Sequence, residues 1–268
     1  VWSALPAPAV KRYADGFLSR SAQGFPMSIS SDFRVLWHML FTPIRGATHA
    51  DRLKSFYEGQ AADYDGFRER LLKGRKELLA SLSPAEGSVW VDLGGGTGAN
   101  LDAAPWLSTC RKVYVVDLCE PLLEECRRRI AARGWTNVET VVADATTFKP
   151  AEPVDLLTCS YSLTMIPDWF AAIDQAKAIL RDGGTIGVVD FHVSRKYVPE
   201  GRTRHSWLTR SLIPIWFSTD NVHPSPDHLA YLTRHFERVS LDEGMAKLPY
   251  VPFLRAPYYR FVGRKTSR

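Results

Sequence analysis

The stretch Val89-Trp90-Val91-Asp92-Leu93-Gly94-Gly95-Gly96-Thr97-Gly98 decides how this chain folds. A short apolar run passes straight into glycines, the pattern of a buried strand ending in a sharp turn. Glycine is needed where the backbone takes a positive φ or must approach a ligand with no Cβ in the way. Residues Asn100–Leu107 then read as a helix whose first amides face the same point. Downstream, strands and helices alternate. Lys112–Leu118 reads as a strand and Pro121–Arg133 as a helix with proline near its start. Val138–Ala143 and Val154–Ser160 are further strands, followed by a helix over Trp169–Leu180. A turn at Asp182-Gly183-Gly184 leads to a strand over Thr185–Phe191. This order predicts an α/β fold with a doubly wound and mostly parallel sheet. Right-handed crossovers bring the strand C-termini to one edge, where such sheets bind ligands.

After Phe191 the alternation loosens. A helix is expected over Ser206–Phe217, a polar loop at His223–Pro226 and a helix over Asp227–Phe236. Two late strands are expected near Glu237–Glu243 and Tyr259–Gly263. Residues 192–226 read as a lid-like insertion over the ligand edge, within a domain spanning 84–268. Upstream, Phe33, Leu36, Trp37, Leu40 and Phe41 recur at helical spacing. With helices expected over Ala50–Tyr64 and Phe67–Leu82, residues 31–83 form an N-terminal helical cap. Residues 1–30 read as a tail; the chain starts at Val1 and its first methionine is Met27, so the opening stretch is expected to be a fragment or fusion remnant.

The composition is that of a folded domain. Of 268 residues, 45% are hydrophobic and 24% charged, which argues against disorder. No apolar run reaches the roughly 18 residues of a membrane-spanning helix. The four cysteines, Cys110, Cys119, Cys126 and Cys159, form no Cys-x-x-Cys pair. They are expected to be reduced thiols with no metal site. No secretory signal is evident, so the chain is expected in the cytoplasm. A net charge of +5 permits contact with a polyanion, either nucleic acid or an anionic membrane.

The glycine loop alone is ambiguous. Gly94-x-Gly96-x-x-Ala99 also satisfies the dinucleotide fingerprint, which leaves a nicotinamide-dependent oxidoreductase as a rival. The carboxylates arbitrate. Asp92 ends the first strand, where a carboxylate would repel a diphosphate but suits a ligand bearing an ammonium and a sulfonium. Asp117 ends the second strand and can accept from ribose hydroxyls, which serves either cofactor. Asp144 ends the third and can accept from an adenine amino group. Capping is the competing role for any one of these acids.

This constellation resembles the class I S-adenosylmethionine-dependent methyltransferases, over about Ser88 to Phe191. The resemblance implies a Rossmann-like methyltransferase fold with S-adenosylmethionine as cofactor. It places Asp92, Gly94 and Gly96 at the methionine part, Asp117 at the ribose, and Asp144 with Ala145 at the adenine. Gly98, Leu118, Ser160 and Arg75 complete the expected cofactor set. Two more segments, Phe56-Tyr57-Glu58-Gly59-Gln60-Ala61-Ala62-Asp63-Tyr64-Asp65-Gly66-Phe67-Arg68 and Ser160-Tyr161-Ser162-Leu163-Thr164-Met165-Ile166-Pro167-Asp168-Trp169, resemble the N-methyltransferase part of betaine-lipid synthases. That likeness implies trimethylation of diacylglycerylhomoserine, an amine-bearing glycerolipid, and a partner that makes the homoserine lipid.

Methyl transfer from a sulfonium needs alignment and exclusion of water more than a nucleophilic side chain or a metal. The expected catalytic set is Tyr57, Tyr64, Tyr161 and His192. The tyrosines would offer faces to a methylated cation, and His192 a proton acceptor. Helix core is the competing role for Tyr57 and Tyr64, and a lid hydrogen bond for His192. A lipid acceptor implies peripheral contact with an anionic membrane. Candidate patches are Phe33, Trp37 and Phe41 with Arg34 and Arg45, and Trp207, Leu208, Leu212, Ile213, Trp216 and Phe217 with Arg204 and Arg210. The alternatives are a small-molecule or quinone methyltransferase and a non-catalytic cofactor-binding subunit. No Asn-Pro-Pro-Tyr-like motif follows the fourth strand, which argues against a nucleic-acid substrate.

Overall fold

A computed structural model describes Thr48, Asp51 and residues 71–218, 221–248 and 251–267. Tyr57 and Tyr64, the Phe33 patch and most of the expected helical cap lie outside the described residues. Seven strands form one sheet: β1 (Val89–Leu93), β2 (Lys112–Asp117), β3 (Val138–Val142), β4 (Val154–Ser160), β5 (Leu180–Phe191), β6 (Glu237–Leu248) and β7 (Val251–Arg264). Their order is β3-β2-β1-β4-β5-β7-β6. The first five are parallel neighbours, and β7 runs antiparallel to both β5 and β6. The strand order reverses beside β1, which opens a crevice at the C-terminal edge.

The described helices are α1 (Arg75–Ser81), α2 (Ala99–Ala103), α3 (Glu120–Arg133), α4 (Trp169–Ile179), α5 (Trp207–Ser218) and α6 (His228–His235). Every residue of β1 is buried, as a central strand covered on both faces requires. Two apolar clusters form, one on each face. Trp90, Val113, Leu123 and Leu156 belong to one, and Val91, Val116, Leu157 and Ile173 to the other. The alternation along β1 and β4 therefore sorts side chains between two layers.

Several boundaries differ from the sequence expectation for local reasons. Of the expected helix Phe67–Leu82 the structure describes residues 71–82: Leu71 is helical, the chain breaks at Leu72–Gly74, where Gly74 takes a left-handed φ of 83°, and α1 runs from Arg75. The helix after the glycine loop ends at Ala103, before Pro105, and a 3-10 turn spans Leu107–Thr109. The Asp182–Gly184 turn is a bulge inside β5: Val154 pairs with Leu180, and the next pair is Leu156 with Thr185. Both late strands extend beyond their expected limits, since pairing with each other supplies the hydrogen bonds that their polar residues need.

Candidate active site

The local text that makes strand become loop also builds the site. Gly94, Gly96 and Gly98 all take positive φ, at 68°, 54° and 71°. Gly94 N and Gly95 N donate to the Val116 carbonyl at 2.8 and 3.2 Å, so the loop is pinned to the end of β2. A Cβ on Gly94 would stand 2.4 Å from Ser162 Cβ. The loop after β4 thus closes on a glycine that leaves room for it and for nothing more.

Over this loop lies a cavity of about 250 Å³, walled by the C-terminal ends of β1 and β2, the residues after β3 and the loop after β4. Of the sequence-expected residues, Gly94, Gly96, Asp117, Leu118, Asp144, Ala145 and Tyr161 line it. Asp117 is held by two backbone amides: Gly96 N donates to Oδ2 at 2.9 Å and Cys119 N to Oδ1 at 2.8 Å. Asp144 Oδ1 accepts from Thr146 N at 2.8 Å and Thr146 Oγ1 at 2.7 Å. Both acids are thereby fixed in orientation while still bordering the cavity. Sequence reading missed Ser162, Met165, Ile166, Pro167 and Asp168, which form the facing wall. They fall within the Ser160–Trp169 segment that the sequence reading singles out, after β4, the strand beside β1, but that reading gives them no site role.

Other expected site residues stand elsewhere. The sequence reading puts Asp92 against the ligand; the structure buries it completely beneath the loop. Asn100 Nδ2 donates to both its oxygens at 3.0 and 2.9 Å, and Thr158 Oγ1 donates to Oδ1 at 2.6 Å. Burial raises its pKa to about 6, against the hydrogen bonds from Thr158 and Asn100 and the charge of Arg75, which lower it. Asp92 braces the strand-to-loop turn rather than walling the cavity. Gly98 starts α2 and packs on α3, where a Cβ would sit 2.6 Å from Cys126 Sγ. Arg75 Nε donates to Ser160 Oγ at 3.2 Å, joining α1 to the end of β4 outside the cavity wall.

Tyr161 does border the cavity, but its hydroxyl is committed to the Lys73 carbonyl. The residue holds φ at 56°, an uncommon conformation for a bulky side chain. Its ring packs on Phe191 at 4.7 Å, and Phe191 packs on Phe217 of α5 at 4.7 Å. His192 is a correction to the expected catalytic set. It is buried among His205, Tyr259 and Glu243 on the β5, β6 and β7 side and does not line the cavity. Desolvation lowers its pKa to about 3, so it is neutral near pH 7. The carboxylate that does serve the loop after β4 is Asp190. It accepts from Thr164 Oγ1 at 2.7 Å and from Thr164 N at 3.2 Å. The insertion reaches the same loop, with His223 N donating to the Thr164 carbonyl at 2.8 Å.

Two predictions arise from these buried polar groups. Thr158 also accepts from the indole Nε1 of Trp90 at 2.8 Å. Thr158→Val should therefore strand a buried donor and deprive Asp92 of another, costing about 1–3 kcal/mol in denaturant unfolding. The second prediction concerns acid. Burial lowers the pKa of both His192 and His228 from 6.5 to about 3. Above pH 6.5 each is neutral whether folded or not. As pH falls from 6.5 toward 3, the unfolded chain gains protons that the folded chain does not, so stability is lost across that window. Asp190 and Asp92, raised by burial to about 7 and about 6, work in the opposite sense from about 4 up to those values. His228→Phe should gain stability relative to the parent as pH falls from 6.5 toward 3, while leaving the curve above pH 7 parallel to the parent.

The fold and this cavity define a class I S-adenosylmethionine-dependent methyltransferase domain, with S-adenosylmethionine as its cofactor. A family model described as a methyltransferase domain matches residues 91–184. Among curated proteins, the chain is 28% identical over 146 residues to aklanonic acid methyltransferase DauC of Streptomyces sp. (strain C5), covering 53% of this chain and 66% of that protein. It is 23% identical over 244 residues to the ubiquinone/menaquinone biosynthesis C-methyltransferase UbiE of Cupriavidus pinatubonensis, covering 85% of this chain and 98% of that protein. Among solved structures, N-methyltransferase NodS from Bradyrhizobium japonicum WM9 in complex with S-adenosyl-l-homocysteine shares the fold. It has a TM-score of 0.56 at 17% identity and covers 79% of this chain and 98% of that one. No helix among the described residues is long and apolar enough to cross a membrane.

Proposed function

We propose that this chain methylates a small-molecule acceptor of quinone type, using S-adenosylmethionine. The observation that carries this reading is the alignment with a quinone C-methyltransferase along 85% of this chain, well beyond the 91–184 core. The curated relatives favour this acceptor over the glycerolipid amine that the betaine-lipid resemblance implies. The commitment of the Tyr161 hydroxyl to the Lys73 carbonyl further weakens a tyrosine cage around a quaternary ammonium.

The cavity suits the cofactor on several counts. Gly94 presents backbone with no Cβ to the cavity. Asp117, oriented by two amides, borders the cavity and offers its carboxylate to a ribose diol. Asp144 spends Oδ1 on Thr146 and keeps Oδ2 for an adenine amino group. Leu118, Leu122, Met165 and Ile166 provide apolar walls for a planar base. When bound, the cofactor supplies an electrophilic methyl on a sulfonium. The chain's own share is orientation and exclusion of water. The loop over 161–168 forms one wall, held by Asp190, His223 and the Tyr161–Phe191–Phe217 stack.

The test is incubation of the purified chain with labelled cofactor and, in separate detergent-solubilised samples, a demethylated quinol and diacylglycerylhomoserine. Label in the quinol ring is expected. Label only in the amine lipid would replace this reading with the betaine-lipid one.

A further inference from the structure

The outward face of α5 has a character that the methyl-transfer reading does not require. Trp207, Leu208, Leu212 and Ile215 are exposed at 70, 58, 51 and 67%. At 100° per residue these four fall within about 140° of the helix circumference. Ile213 and Phe217 occupy the opposite side and are buried in the core. The sequence patch is thus split in two, one half structural and the other unspent. Tyr197, 77% exposed, precedes the helix. Between Arg195 and Arg210 the chain carries Arg195, Lys196, Arg202, Arg204 and Arg210 against a single acid, Glu200. Asp227 pairs with Arg195 and Glu243 with Arg202. Lys196, whose ammonium lies over the Tyr197 ring, and Arg204, three residues before the helix, are both exposed.

We propose that α5 is a membrane-docking helix, with Trp207, Leu208, Leu212 and Ile215 entering the interfacial region of an anionic bilayer and Lys196 and Arg204 meeting its head groups. Four large apolar side chains rimmed by cations are the composition that binds such an interface. Pairing with a second copy through the same face would set the two cationic rims against each other, whereas an anionic surface is complementary. The buried side of the same helix reaches the site through the contacts Phe217–Phe191–Tyr161. Docking would therefore place the acceptor side of the cavity next to the bilayer, which connects to the proposed function only through the apolar character of its acceptor.

The experiment is co-sedimentation of the full chain with vesicles of phosphatidylcholine alone and of equimolar phosphatidylcholine and phosphatidylglycerol. Binding is expected only to the mixed vesicles and should weaken as salt is raised. The Leu212→Ser/Ile215→Ser double variant should bind at least tenfold more weakly. Lys196→Ala/Arg204→Ala should lose most of the salt dependence. Unchanged S-adenosylhomocysteine binding in each variant verifies that it is folded. Equal binding to both vesicle types, full binding by the double variant, or a concentration-dependent dimer that the double variant abolishes would each overturn the proposal. Methylation of a detergent-solubilised quinol reads the proposed function separately, because it needs no vesicle.

Discussion

Gly94→Ala is expected to abolish measurable cofactor binding. Two independent costs act at this position. The residue holds φ at 68°, where an L side chain is strained, and a single non-glycine residue in such a conformation costs about 1–3 kcal/mol. The added methyl would also stand 2.4 Å from Ser162 Cβ, inside van der Waals contact. Relief requires either the loop after β1 or the loop after β4 to retreat, and these are two walls of one cavity. The amides of Gly94 and Gly95, both bonded to the Val116 carbonyl, would move with it. Calorimetric titration with S-adenosylhomocysteine should show at least a 100-fold loss of affinity, accompanied by a lower unfolding temperature. Affinity within threefold of the parent would show that the glycine loop does not shape the cofactor site.

Asp117→Ala is expected to have the next largest effect. The carboxylate is both a part of the wall and the anchor of two backbone amides, Gly96 N and Cys119 N. Hydrogen bonds to a charged group contribute about 1.5–3 kcal/mol each. Loss of two toward a ribose diol corresponds to about 3–6 kcal/mol, or roughly 10²–10⁴ in affinity. Release of the Gly96 amide loosens the glycine loop as well, so the effect belongs at the upper end. Asp117→Asn separates the two roles, since its carbonyl oxygen can keep one amide while the carboxylate charge is gone. Its titration should lie between the parent and the alanine variant, with near-parental stability. Equal affinity for all three proteins would remove Asp117 from the binding site.

The run from Val89 to Gly98, with the β-α alternation downstream, was enough to determine the parallel sheet, its ligand-bearing edge and the acids at that edge. Period and composition carry that information, because burial of a central strand on both faces and the need for glycine at positive φ are local constraints. Asp117 and Asp144 were legible for the same reason: each ends an apolar run. Which acid meets the cavity was settled by tertiary packing alone. Asn100 and Thr158, 8 and 66 residues away, turn Asp92 inward and bury it. Pairing of β7 with both β5 and β6 likewise draws His192 away from the site and into a neutral, desolvated cluster. The split of α5 into a buried and an exposed face needed the third dimension too. Its sequence is apolar on most sides, and only its packing on the core cluster that holds Ile213, Phe217 and Phe191 decides which residues are covered.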